Sequence, residues 1–293
     1  MEQIKEVAII GVGLIGGSIG LALKKYLPSV VVTGVGRNID RLKLAQQKGC
    51  IDKFTTELKD GVKNADIIIV CVPVELTAKF IISLLPYVKE NAVITDVASV
   101  KNEIIKKVKE KLLVIRKKKN INFVGSHPLA GLEKSGFEYA KEDLFKDSVC
   151  VICYDKTICS KEALEKIKFL WRTIKAKVVE LKPKKHDKIL ALTSHMLHVI
   201  SYILAKQINS KKEYLKFTAG AYRDMTRIAA SNPEMWAQIC YTNKEAVKNS
   251  LKEFITLANK VLEYLDNNKK LKKFLTSAYK LKIKSSYEQN KNI

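Results

Sequence analysis

The chemistry this chain can perform is concentrated in four histidines and one pair of arginines. His127 stands in Val124-Gly125-Ser126-His127-Pro128-Leu129-Ala130-Gly131, directly after an apolar run of strand character. A histidine at the carboxyl rim of a parallel sheet lies where open α/β sheets bind ligands, and a neutral imidazole there can accept a proton. Ser99 lies beyond another such run, in Thr95-Asp96-Val97-Ala98-Ser99-Val100-Lys101, placed either to hydrogen-bond a reacting group or to cap the next helix. In the second half, Asp187, Ser194 and His198 are spaced by seven and four and share a helical face, with His195 off to one side. Arg223 and Arg227, four apart, form a stripe that suits a carboxylate clamp; the plainer reading is ion pairing with Asp224 or Glu213.

A second group of residues points to a nucleotide. Val7–Ile10 reads as a strand running into Gly11-Val12-Gly13-Leu14-Ile15-Gly16, which opens a helix. In that context the first glycine permits the turn, the second lets the backbone approach a pyrophosphate, and the third lets helix and strand pack closely. Without a ligand, the motif is only a glycine-rich turn. The following strand ends Thr33-Gly34-Val35-Gly36-Arg37-Asn38, with Gly36 where an acidic ribose-binding residue is usual. Arg37 can pair a 2′-phosphate, so NADP is favoured over NAD. Alternatively Arg37 is a solvated charge and Asn38 merely caps the next helix.

Positioning these residues requires alternating strands and helices. Strand character is read at Val7–Ile10, Val30–Val35, Ile67–Val72, Ala92–Asp96, Asn122–Val124, Ser148–Cys153 and Lys177–Leu181. Helical periods lie between most of them, at Leu14–Tyr26, Ile39–Gln47, Leu76–Leu85, Lys101–Lys111 and Lys161–Thr173. This alternation predicts an α/β, Rossmann-type domain with a mostly parallel sheet over residues 1–182, its boundary falling as early as residue 155. After Pro183 the pattern is helical throughout: His186–Gln207, Lys212–Ala230, Pro233–Tyr241 and Asn243–Leu265. Residues 183–293 are therefore expected to form an all-α substrate and dimerisation domain, with a frayed polar tail from about residue 280. A homodimer is expected because the apolar helices are numerous for so small a domain.

The net charge is +23, with lysine spread along the whole chain. No recognition motif accompanies it, so it is read as a solvated surface that attracts anionic substrates, rather than as a nucleic-acid site. Six scattered cysteines fit a reducing cytoplasm, and the Cys150/Cys153 pair lies in a strand-like run with no second pair at zinc spacing, so no metal is expected. No apolar run is expected to approach the eighteen or so residues of a membrane helix, and no signal peptide is expected.

The motifs GVGLIGGS, ADIIIVCVP, TDVASVK, GSHPLAG-x-EKSG, LTSHMLH and RDMTRIAASNPEMW together resemble the prephenate and arogenate dehydrogenases, in order, over roughly residues 7–265. The resemblance implies a Rossmann-type domain, a helical dimerisation domain and a cleft between them. It implies oxidative decarboxylation of an anionic cyclohexadienol, prephenate or arogenate, with NADP or NAD as hydride acceptor. His127 matches the catalytic base and Ser99 the serine that orients it. Arg227 matches the ring-carboxylate arginine, and His198 a histidine at the side-chain end, expected to donate to a keto acid. Glu133 and Asp187 match carboxylates of an ionic network, with Arg223, Ser194 and Trp236 in neighbouring positions. Gly11, Gly13, Leu14, Ile15, Gly16, Arg37, Asn38, Val72 and Pro73 are the expected cofactor-binding residues. Leu132 departs from the threonine of some relatives, and Gly36-Arg37 from the usual acidic residue. With no mutase or regulatory segment read in the chain, a monofunctional enzyme is expected. A β-hydroxyacid dehydrogenase of the same plan would leave the Ser99, His127 and Arg227 motifs unexplained, as would a basic nucleic-acid-binding protein.

Overall fold

The computed structural model describes the backbone of residues 4–291 and the side chains of residues 4–285. The chain divides into two compact units at Lys244/Glu245. In the first unit, eight strands form one sheet: β1 (Glu6–Ile10), β2 (Val31–Val35), β3 (Lys53–Thr55), β4 (Ile67–Val70), β5 (Val93–Asp96), β6 (Asn122–Pro128), β7 (Val149–Cys153) and β8 (Lys177–Glu180). Their order is β3-β2-β1-β4-β5-β6-β7-β8, and every pairing is parallel except β6 with β7. The helices that connect them are α1 (Leu14–Tyr26), α2 (Ile39–Gln47), α3 (Leu58–Val62), α4 (Val74–Leu84), α5 (Asn102–Ile115) and α6 (Lys161–Thr173).

The central strands are buried on both faces because helices cover both. Along β1 and β4, Val7, Ile9, Ile67 and Ile69 join one apolar cluster while Ala8, Ile10, Ile68 and Val70 join the other, as a period of two requires. The same alternation separates the CxxC cysteines: Cys150 lies in the first cluster and Cys153 in the second, so their thiols face opposite sides of the sheet. Burial pushes both thiols up, Cys153 to about 12.

Beyond β8 the unit is helical among the described residues: α7 (Pro183–Leu190), a π-helical stretch (Ala191–His195), α8 (Met196–Asn209), α9 (Gly220–Thr226) and α10 (Pro233–Thr242). The expected single helix over residues 212–230 is instead a 3-10 turn, α9 and a second 3-10 turn. The run from Pro183 to Asn209 is long and apolar enough, by length and composition, to cross a membrane, although 28% of its most apolar window is buried. This corrects the expectation that no apolar run approaches that length. The charges cluster near its start, in Lys184, Lys185, Asp187 and Lys188, and leave the next seventeen residues without Asp, Glu, Lys or Arg.

The second unit consists of α11, which begins at Lys244 and runs to Tyr264, and α12 (Asn268–Lys291). The frayed tail expected from residue 280 is instead helical as far as Lys291. Its lysines, with Leu281, Glu288 and Gln289, are good helix formers.

Candidate active site

The nucleotide end is built by the β1–α1 turn. Gly11 has φ +92°, and a Cβ there would sit 2.5 Å from the Cys71 carbonyl oxygen, so only glycine fits between β1 and the end of β4. A Cβ on Gly16 would lie 2.4 Å from the Gly11 carbonyl oxygen, which keeps α1 tight on the turn. Above Gly13, by contrast, there is no atom within 4 Å of where a Cβ would stand. Gly13 caps α1 without a side-chain hydrogen bond, and the first turn holds no acid. An uncapped helix N-terminus under open space is a fitting seat for a pyrophosphate. Leu14 and Ile15 are half-buried in that first turn, Val72 packs beside Gly11, and exposed Pro73 caps α4. Arg37 is exposed at the end of β2 and free of partners among the described residues. The Asn38 side chain accepts from the Arg41 amide at 3.0 Å, so it caps α2, the plainer of its two readings.

His127 lies one residue from the end of β6, which runs further than expected. Asn122–Val124 pair with β5, and Gly125–Pro128 continue the strand against β7, lifting His127 beyond the parallel edge. The imidazole is 7% exposed and its Nδ1 lies 2.8 Å from Nε2 of His186. His186 Nδ1 in turn lies 2.7 Å from Asp187 Oδ1. The Asp187 carboxylate accepts the backbone amides of Lys101 at 2.8 Å and Asn102 at 3.0 Å. Asp187 therefore caps α5 from a distance, where Ser99 was one candidate; Ser99 lies half-buried in the loop before the helix. Burial, reinforced by His186, Lys101 and His195, holds the His127 imidazole well below its ordinary titration range.

Beneath this line lies a wholly buried ion pair between Lys101 Nζ and Asp96 Oδ2. Asp96 also accepts the Ala98 amide at 3.1 Å and the Ser126 amide at 3.3 Å, which fixes the backbone just before Ser99 and just before His127. Ser126 Oγ is 2.7 Å from Thr95 Oγ1 and accepts from Trp171 Nε1 at 3.0 Å. Removing one partner of such a pair strands the other charge. Lys101→Met is expected to lower the unfolding free energy by about 3–5 kcal/mol in urea denaturation. A loss under about 1 kcal/mol would mean that the amides around Asp96 satisfy it without the ammonium.

A second group of contacts involves the helical segment and the loop after β6. Glu133, in that loop, forms an ion pair with Arg227. Arg227 also lies close enough to His198 to help burial lower that imidazole's pKa. The His198 ring stacks on Trp236 with centroids 3.4 Å apart, and its Nδ1 donates to the Ser194 carbonyl at 3.0 Å. In the neutral ring this leaves Nε2 as an acceptor, so His198 is not the donor to a keto acid that was expected. Asn243 Nδ2 donates to the Asp187 carbonyl at 2.8 Å and lies 3.2 Å from His195 Nδ1, tying the end of α10 to α7 and the π-helical stretch. Burial lowers the His195 pKa to about 4.

The predicted residues are thus partly brought together. The strand of His127 leads into the loop whose Glu133 holds Arg227, and His198, stacked on Trp236, lies within electrostatic reach of that arginine. Asp187 is 5% exposed and committed to His186 and the α5 amides, so it is not a free carboxylate facing a ligand. Its expected alignment with Ser194 and His198 is broken by the π-helical stretch, which widens the turn between them. Arg223 is exposed, and α9 ends between it and Arg227, so the two do not form one continuous stripe. His186 was missed altogether. Its signal was a histidine directly before an aspartate in a lysine-rich first turn.

The chain is similar to known proteins over most of its length. Residues 19–180 match the family model for the prephenate dehydrogenase nucleotide-binding domain, and residues 182–277 that for the prephenate dehydrogenase dimerization domain. The chain is 33% identical to a prephenate dehydrogenase of Bacillus subtilis over 91% of its own length and 72% of that protein's. It is 34% identical to a cyclohexadienyl dehydrogenase of Zymomonas mobilis, covering 87% of this chain and 86% of the relative. The solved prephenate dehydrogenase of A. aeolicus, in complex with hydroxyphenyl propionate and NAD+, superposes with a TM-score of 0.88 at 27% identity, covering 96% of this chain and 98% of that one. A 3-hydroxyisobutyrate dehydrogenase of Mycobacterium tuberculosis shares only the fold, at 13% identity and a TM-score of 0.52. The chain belongs to the prephenate dehydrogenase family.

Proposed function

We propose that this enzyme converts prephenate to 4-hydroxyphenylpyruvate by oxidative decarboxylation, as a cytoplasmic step of tyrosine synthesis. The observation that carries this reading is the pairing of a buried, neutral His127 with a guanidinium, Arg227, held by the loop that follows the same strand. The segment 183–293 would supply the substrate wall and the dimer contact. Exposed Leu192, Leu197 and Ile203, with Leu257 and Leu262 on α11, are apolar surface that a second copy would cover. The lysines are read as solvated surface, with no nucleic-acid or membrane partner.

A nicotinamide dinucleotide seated over Gly11, Gly13 and Gly16 would supply the hydride acceptor. His127 accepts the proton of the substrate hydroxyl as the carbon beneath it becomes a carbonyl. The pair of electrons from the ring-carboxylate bond then flows into the ring, CO2 departs, and the phenolate oxygen can recover the proton from His127. Ser99, in the adjoining loop, orients the hydroxyl. Arg227 holds the ring carboxylate until it leaves. Mixing the protein with prephenate and NADP or NAD, and following absorbance of the reduced nicotinamide, tests this; no reduction with either cofactor overturns it.

Arogenate is a second reading, favoured by one observation: the acceptor Nε2 of His198 suits an ammonium better than a keto group. Equal or greater kcat/KM on arogenate in a side-by-side assay would establish it. For the cofactor, Arg37→Ala is expected to lower kcat/KM with NADP by roughly 10-fold or more, from the loss of a charge-assisted contact, and to leave NAD nearly unchanged. Equal effects on both would show that Arg37 does not read the 2′-phosphate.

A further inference from the structure

The line from His127 to α5 has a direction that its atoms dictate. A carboxylate can only accept, so Asp187 Oδ1 takes the Nδ1–H of His186 across 2.7 Å. In the neutral His186 ring that leaves Nε2 bare, and the atom 2.8 Å away is Nδ1 of His127. Nδ1 of His127 must then carry the hydrogen, and its lone pair is on Nε2. Asp187 cannot turn away, because its two oxygens are pinned by the Lys101 and Asn102 amides at the N-terminus of the 14-residue helix α5. His186 is wholly buried, so no water competes for its ring.

We propose that His186 is a positioning residue, which with Asp187 and the α5 N-terminus holds His127 as the Nδ1–H tautomer with Nε2 ready to take the substrate proton. This rests on the reading of His127 as the base. The arrangement generalises a familiar logic, in which a base is oriented by a third group, to a histidine backed by a histidine. It also couples the loop that carries Ser99 to the base, because the amides that hold Asp187 lie two and three residues past that serine.

Nitrogen-15 NMR of the wild-type protein with labelled histidine is the direct test, independent of turnover. The His127 resonances, assigned by their loss in His127→Asn, should show protonated Nδ1 and bare Nε2 near neutral pH. Nε2–H in the wild type would overturn the proposal, whatever the enzyme's substrate proves to be. In the variants, His186→Gln keeps a carbonyl acceptor and His186→Leu has none. His186→Leu should mix the tautomers and lower kcat by about 10- to 100-fold with dinucleotide affinity unchanged, and His186→Gln should recover much of that loss. Equal kcat in the two variants, with both folded by circular dichroism, would reduce His186 to a packing role.

Discussion

Replacing His127 with asparagine is expected to lower kcat by about 10²–10⁴-fold while dinucleotide binding is retained. Asparagine preserves size and polarity but cannot accept and return a proton. The dinucleotide seat, built from the β1–α1 turn, does not depend on residue 127. The pH dependence adds a sign. Burial depresses the imidazole's pKa well below its ordinary value, so the base form stays populated as pH falls through the usual histidine range. The acidic limb of kcat/KM should therefore lie below about pH 6.5. Near-normal turnover in the variant would reject the assigned base.

The second large effect belongs to Arg227. Arg227→Ala is expected to raise KM for the substrate by roughly 10- to 100-fold, as loss of a charged hydrogen-bonding partner does, with a smaller change in kcat. In the structure the guanidinium is occupied by Glu133, but both side chains are largely exposed, and such pairs are worth little. A substrate carboxylate can thus exchange with Glu133, or join it on the fork, at small cost. Arg227→Lys keeps the charge and loses the planar fork, so it should fall between alanine and wild type. An unchanged KM in Arg227→Ala would place the ring carboxylate elsewhere.

What the sequence revealed and what it hid divide along physical lines. Long periodic elements were legible: β4 is a continuous Ile-Ile-Ile-Val run, and α1 and α6 were placed with their observed limits. Three-residue β3 and five-residue α3 are too short for any period to show, and both were missed. The continuation of β6 through His127 depends on antiparallel pairing with β7, which no local pattern encodes. The break between Arg223 and Arg227 arises where Thr226 leaves helical geometry, at φ −110° and ψ −3°, although its neighbours are good helix formers.

The site shows the same division. Gly11 and Gly16 are constrained by backbone that the motif itself brings close, so their spacing announces them. His186 has its role only through a residue 59 positions away, and Asp187 through amides 85 and 86 positions away. The π-helical turn at Ala191–His195 falls between Asp187 and the Ser194/His198 pair, so counting by seven across it does not give their alignment. The tautomer of His198 likewise depends on a carbonyl, that of Ser194, whose availability no side-chain reading reveals.

The account turns on one molecule being gripped by groups from both the sheet and the helical segment. A crystal structure with oxidised dinucleotide and an unreactive prephenate analogue that retains the ring hydroxyl and ring carboxylate tests this most directly. The hydroxyl oxygen should lie about 2.6–3.2 Å from His127 Nε2, with the ring carboxylate on the Arg227 guanidinium. An analogue bound with its hydroxyl away from His127, or with Arg227 still held by Glu133 alone, would contradict it.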